Sequence, residues 1–362
     1  MPIRAQIRAE AARVRALFEA AGATPVEAAI LQPADTLLDL YGEDIRGRAY
    51  VTDDALRGEQ MLRPDFTVPV VQMHMEHGDE PARYTYAGEV FRRQDDDAGR
   101  ANEYLQVGYE VFDRDNAAMA DAEVFALIRS VLTGLPLRAA TGDMGILKSA
   151  IDGLKTTDRR KAALLRHIWH PRRFRALLDA FAGRVPMTSR RAARLIMDDP
   201  FLPGVPMIGL RSRAEIETRL ETLRQDAVAA PIGAGEVELI DAIVGVRETV
   251  PNALEHLRDI AVDLPGIAPA VERLEARSGA MAARGIDVQS LEFEASYGRT
   301  SMEYYDGFVF GFQVEARPAL PPVATGGRYD ALTRVLGKGR SIPAVGGVVR
   351  PDLMLDLREG RT

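Results

Sequence analysis

Apolar residues recur along this chain at two spacings, and the change from one to the other marks out its elements. Residues 84–92 and 104–112, YTYAGEVFR and YLQVGYEVF, are rich in β-branched and aromatic residues, with the polar Asp95-Asp96-Asp97-Ala98-Gly99 between them. That pattern predicts a long antiparallel hairpin with its turn at the aspartates. A strand-rich approach leads to Leu62, and strand-like runs return at 291–295, 308–314 and 342–349. Helical spacing governs most of the remainder. Ile7, Val14, Leu17 and Phe18 form one stripe, and a second helix starts near Asp121-Ala122-Glu123 and continues to Leu132. Further helical patterns occupy 151–181, 214–228, 237–244 and 268–284, broken by Gly and Pro. The order predicts an α+β sheet domain, residues 1–145 and 285–362, interrupted by a mainly helical insertion at 146–284. The chain is long enough for a full core.

Charge narrows the function classes. With 46 Lys+Arg against 53 Asp+Glu, the net charge is −7, and no basic tract is long enough for a nucleic-acid footprint. The nearest candidate, Arg159-Arg160-Lys161 with Arg166, Arg172, Arg173 and Arg175, lies among helical leucines and reads as a solvated helix face. There is no cysteine, which excludes thiol catalysis, disulfides and thiolate metal sites. No run approaches the roughly eighteen apolar residues of a membrane span, and no apolar signal core opens the chain. Arg4, Arg8, Arg13 and Arg15 make the start basic, but Glu10 and Glu19 interrupt them, so a structural first helix is expected and cytoplasm is the default compartment. His74 with His77, and His167 with His170, could share a helical face, yet neither pair gains a third ligand, so packing or surface roles are expected rather than a metal.

The hairpin carries the candidate chemistry. Gln106, Gly108 and Glu110 share one strand face by the period of two, so an amide and a carboxylate project where apolar residues normally sit. Arg92 adds a fork of donors suited to a carboxylate or phosphate. These residues point to a small anionic or zwitterionic ligand; the alternative is an ordinary solvated hairpin.

The hairpin also resembles the second signature motif of class II aminoacyl-tRNA synthetases, and specifically that of the histidyl-tRNA synthetase family. Three further segments, in the right order, share that resemblance: Met61-Leu62-Arg63-Pro64-Asp65-Phe66-Thr67, Met302-Glu303-Tyr304-Tyr305 and Thr325-Gly326-Gly327-Arg328-Tyr329-Asp330. What the resemblance implies is a class II fold, a mostly antiparallel sheet flanked by helices with its ligand site on one face. It implies a histidine pocket in which Asp65 and Thr67 hold the amino group, Gln106 and Glu110 contact the ligand, and Tyr305 and Tyr329 lie near the imidazole, with Arg92 and Tyr304 completing the wall. Such a set suits a zwitterion, which needs carboxylates for its ammonium, a cation for its carboxylate and polar or aromatic partners for its ring.

The resemblance weakens where adenylation chemistry belongs. A family glutamate two residues after Arg92 is here Gln94, and the acidic 95–97 loop is unsuited to a nucleotide or an acceptor stem. The place of the arginine that clamps ATP phosphates falls on Leu353, with Arg350 nearby and Pro351 suited to a helix start. The place of the other catalytic arginine falls on Thr300, beside Arg299. Loss of one preorganised charge commonly costs about a hundredfold to a thousandfold in rate. The chain ends at Thr362, shortly after the third motif, so no anticodon-binding domain, a unit of roughly a hundred residues, is expected. A histidine site without this chemistry resembles the regulatory subunits of short-form ATP phosphoribosyltransferase, the enzyme of the first step of histidine biosynthesis. That likeness implies a non-catalytic partner of a separate catalytic subunit, with L-histidine as feedback effector, no cofactor, no nucleic acid and no membrane. A self-dimer is inferred from the fold, although residues 29–41 match the dimer-forming first motif only loosely. The alternatives are a truncated histidyl-adenylate-forming enzyme and a scaffold whose pocket is vestigial.

Overall fold

The computed structural model describes residues 3–35, 47, 49–94, 101–186, 188–197, 201, 209–299, 304–318 and 320–360. The N-terminal part contains α1 (Arg4–Ala20), β1 (Thr24–Pro25), β2 (Leu31–Pro33), β3 (Val51–Asp54), β4 (Gly58–Leu62), α2 (Thr67–His77), β5 (Ala82–Phe91), β6 (Glu103–Phe112), α3 (Ala117–Val131) and β7 (Arg138–Asp143). Next come α4 (Met144–Gly153), α5 (Asp158–Arg166), α6 (Pro171–Phe181), α7 (Ser189–Ile196), α8 (Arg213–Val228), α9 (Ala234–Gly245), β8 (Arg247–Thr249), α10 (Val250–Asp263) and α11 (Ala268–Ala283). The chain returns to strands with β9 (Glu292–Glu294), β10 (Phe308–Gln313), β11 (Ala324–Arg328), α12 (Asp330–Leu336), β12 (Ala344–Val349) and α13 (Pro351–Arg358).

Among the described residues the strands make a nine-stranded sheet, ordered β1-β5-β6-β12-β11-β10-β7-β9-β8, and a three-stranded sheet, ordered β2-β4-β3. Only the β1–β5 and β7–β9 pairs are parallel. β5 and β6 form the expected hairpin, in register from Ala82 opposite Phe112 to Phe91 opposite Glu103; its expected turn at 95–99 lies outside the described residues. The helical pattern over 151–181 resolves into three helices. Asp143 caps α4 by accepting from Gly145 N–H, Thr157 caps α5 by accepting from Arg160 N–H, and Pro171 opens α6.

The large sheet buries both faces. On one side Phe308, Phe310 and Phe312 project from β10 onto Phe125 of α3, with ring centroids 6.4, 5.3 and 5.4 Å away. That core continues without interruption into α4, α5, α6, α9, α10 and α11. On the other side Phe66, Tyr86, Phe112, Tyr304, Tyr305 and Tyr329 form a second cluster, rich in tyrosine. A core of tyrosines needs partners for its hydroxyls, and these define the candidate site.

Between the sheet and the helices runs a buried chain of charges. Arg328, at the end of β11, donates through Nη1 to Asp330 at 3.0 Å and through Nε and Nη2 to Asp121 of α3 at 3.0 and 2.7 Å. Arg277 of α11 approaches the second oxygen of Asp121 at 3.4 Å and donates to Asp143 at 2.7 Å. This chain fixes α3, α11 and the start of α4 to the segment carrying Tyr329. The basic run at 159–175 is less solvated than its sequence suggests: Arg160 is buried, donating to Asp226 at 2.8 Å and to Ala230 O at 2.7 Å, because it ties α5 to the end of α8.

Removing one member of a buried ionic group strands the others. Arg277→Ala is expected to cost about 3–5 kcal/mol in urea unfolding, whereas an exposed pair such as Arg213 with Glu217, cut by Arg213→Ala, should change stability by less than about 1 kcal/mol.

Candidate functional site

The site is assembled from elements far apart in the chain. β4 ends in Arg63-Pro64-Asp65-Phe66, which turns into α2 at Thr67. Arg63 locks this turn onto the hairpin: its Nε donates to Glu89 O at 2.9 Å, its Nη1 to Ala28 O, and its guanidinium covers the Phe66 ring at 3.9 Å. Phe66 stacks on Tyr86 at 4.3 Å. The turn therefore sits rigidly over β5, with Asp65 Oδ1 accepting from Thr67 N–H at 3.1 Å.

Glu110 lies at the centre. The Tyr86 hydroxyl donates to its Oε1 at 2.7 Å, Thr67 Oγ1 approaches the same oxygen at 3.3 Å, and the Tyr329 hydroxyl donates to Oε2 at 2.5 Å. Tyr304 in turn donates to Thr67 Oγ1 at 3.4 Å. Glycines make the space for this. A Cβ on Gly346, the cross-strand partner of Glu110, would stand 1.4 Å from Glu110 Oε2, and one on Gly108 would stand 2.1 Å from the Tyr86 ring. Tyr305 lies over Gly327 in the same way, where a Cβ would be 2.8 Å from its ring.

These groups enclose a cavity of about 160 Å³ whose wall contains Asp65, Thr67, Arg92, Gln106, Glu110, Tyr304, Tyr305 and Tyr329, every side chain that the resemblance named for a histidine pocket. Tyr104 and Arg350 also line it. Arg92 donates from Nε to Pro64 O at 2.8 Å and brings Nη2 to 3.8 Å from Asp65. Gln106 keeps a buried Oε1 with no hydrogen-bond partner. Burial pushes Glu110 up from its ordinary 4.5 to about 7; the Tyr329 and Tyr86 hydroxyls oppose that rise and the nearby Asp65 adds to it. Burial, together with the Glu110 charge, lifts the Tyr86 and Tyr329 hydroxyls well above the usual tyrosine range, so both remain donors.

Other sequence candidates lie elsewhere. Arg299 is buried against the helical part, donating to Ile168 O at 2.9 Å with its guanidinium 4.9 Å from the Phe174 ring, and does not line the cavity. Leu353 packs against the main core. Thr300, Met302 and Glu303 are outside the described residues. His74 packs in the core, stacked on Phe112 at 4.0 Å with Nδ1 3.1 Å from the Tyr84 hydroxyl. The described residues contain no grouping of His, Asp and Glu able to hold a metal. Sequence reasoning missed Tyr86, although its place in the alternation of the first arm, two residues from Gly88, puts it on the site face. It also missed Gly346 as the space-maker for Glu110.

Comparison with known proteins adds to this geometry. The histidyl-tRNA synthetase family model matches residues 2–199 and 211–353. The ATP phosphoribosyltransferase regulatory subunit of Mesorhizobium japonicum is 32% identical over 369 residues, covering 96% of this chain and 97% of its own. Its counterpart in Brucella anthropi is 30% identical over 353 residues, covering 92% and 93%. Among solved structures, an ATP phosphoribosyltransferase regulatory subunit/histidyl-tRNA synthetase from Bacillus halodurans superposes with a TM-score of 0.67 at 18% identity, over 97% of this chain and 79% of that one. Histidyl-tRNA synthetase from Nostoc sp. PCC 7120 gives 0.64 at 17%, over 98% and 72%. The fold is thus the expected α+β, class II synthetase-like one.

Burial of Glu110 has a pH signature. The unfolded chain releases this proton near 4.5 and the folded chain near 7, so stability is highest below that window, declines across it, and is flat above. The loss from this group should be about 3 kcal/mol. In urea titrations at about pH 5 and about pH 8, Glu110→Gln should remove that share of the difference.

Proposed function

The chain belongs to the ATP phosphoribosyltransferase regulatory subunits, within the histidyl-tRNA synthetase-like family, and on that premise we propose that it does no chemistry itself but activates a separate short-form catalytic subunit and reports histidine to it. The observation that carries this reading is the cavity around Glu110. Its volume of about 160 Å³ suits a single amino acid, and its wall has the required chemistry. Asp65 offers a carboxylate to an ammonium group, Glu110 an acceptor to an imidazole N–H, and Tyr304, Tyr305 and Tyr329 offer ring faces. The case against catalysis rests on Leu353, which occupies the place of a phosphate clamp, and on Arg299, which is turned toward Ile168. Each missing charge removes about two to three orders of magnitude from an adenylation rate.

Feedback requires that histidine bind one state of the complex better than another, and a coupling of about 1–3 kcal/mol gives roughly five- to 150-fold inhibition. The buried charge chain supports such coupling, since Tyr329 is flanked by Arg328 and Asp330, which tie it to α3 and through Asp121 to α11. A dissociation constant of about 0.1 mM, or about −5.5 kcal/mol, is sufficient. The unit is read as a cytoplasmic self-dimer; no described helix is long and apolar enough to cross a membrane.

ATP phosphoribosyltransferase activity of the short catalytic subunit, measured with and without this chain across a histidine titration, tests the proposal. Stimulation by the chain is expected, with inhibition by histidine that Glu110→Ala weakens at least about tenfold. Absence of stimulation would sink it. A second reading, histidyl-adenylate formation, draws on Arg92 and Arg350 both facing the cavity, and would be favoured by pyrophosphate exchange that needs histidine and ATP.

A further inference from the structure

Resting on the reading of the cavity as a histidine pocket, we propose that Arg350 is the residue that holds the carboxylate of the bound amino acid. The strand register places it there. β12 pairs with β6 so that Gly346 faces Glu110 and Val348 faces Gly108. The ladder ends at Val349 opposite Val107, but Arg350 keeps extended backbone (φ −110°, ψ 99°), which carries it on toward Gln106 and the sheet face of Glu110. Gln106 and Glu110 are four residue steps apart on the strand, about 13 Å along the backbone. Gln106, Arg350 and Glu110 all line the same cavity of about 160 Å³, a volume that suits one small amino acid.

Among the described residues, the cations lining the cavity are Arg92 and Arg350. Arg92 has its Nε on Pro64 O at 2.8 Å and its Nη2 at 3.8 Å from Asp65, the carboxylate that would take the ammonium group. A ligand carboxylate placed on Arg92 would stand beside Asp65 and be repelled by it. Arg350 also has a carboxylate near it, Asp352, but Asp352 does not line the cavity, whereas Asp65 does. The Arg350 guanidinium is stacked 4.0 Å over the Tyr104 ring, its Nη2 is 3.7 Å from Asp352, beyond hydrogen-bond distance, and its buried Nε has no partner. Stacking fixes the plane of the guanidinium and leaves the in-plane N–H donors, the geometry that suits a bidentate carboxylate. The backbone beneath is held as well, with Arg350 N–H donating to Val323 O at 2.9 Å and Pro351 starting α13.

Histidinol separates this role from a structural one, because it keeps the imidazole and the amine and replaces the carboxylate with a hydroxymethyl group. Calorimetric titrations of the full chain with histidine and with histidinol should show the wild type preferring histidine by at least about tenfold. Arg350→Gln should weaken histidine about 10- to 100-fold, leave histidinol within about twofold, and so abolish the preference. Arg350→Lys, which keeps the charge without the fork, should restore part of it and guards against misfolding of the first variant. Equal weakening of both ligands by Arg350→Gln, or loss of the preference in Arg92→Gln instead, overturns the assignment while leaving the histidine pocket intact. A wild type that binds neither ligand overturns the pocket itself, and the assignment with it.

Discussion

A carboxylate buried on the face of a sheet stays there only if hydrogen-bond donors reach it, and the architecture around Glu110 is the means of bringing them. Its donors come from three places: Tyr86 from the adjoining hairpin strand, Thr67 from the first turn of α2, and Tyr329 from the loop between β11 and α12. Each donor is positioned by a further contact. Tyr86 is pressed against Phe66, Thr67 is fixed by Asp65, and Tyr329 stands between the two ends of an Arg328–Asp330 pair. Loss of any one leaves a buried oxygen underpaired, so the three segments behave as one unit.

The same dependence joins the pocket to the helical layer. Arg328 faces away from the cavity, but it shares Asp121 with Arg277, so a displacement at Tyr329 meets resistance from α3 and α11. Charges buried this deeply have few alternative arrangements, which favours discrete states over gradual deformation. A pocket wired in this way is suited to reporting occupancy.

Much of this was legible in the chain, and the failures have physical causes. Alternation exposed the hairpin and the unusual Gln106 and Glu110 face, and the separated segments located Asp65, Thr67, Tyr305 and Tyr329, which the fold brings together. The strands β7 and β11, RAATGD and ATGGR, escaped notice because small residues replace the apolar alternation where rings from elsewhere cover the backbone. Helix α10 escaped because its proline, which reads as a breaker, sits in the first turn. Arg160 shows the reverse limit: a charge run gives no sign of which member a tertiary partner such as Asp226 will bury.

β11 and β12 meet in a patch where Gly326 faces Gly347 and Gly327 faces Gly346. A Cβ on Gly326 would strike the Phe310 ring on one side, and one on Gly327 the Tyr305 ring on the other, so aromatic side chains rest on bare backbone from both directions. Gly346 and Gly347 of this patch line the cavity, so part of its floor is peptide backbone, whose position no rotamer can adjust. A change in what the cavity admits has to come from the side chains around that patch, because a side chain added to its glycines would collide with the rings and the carboxylate resting on them.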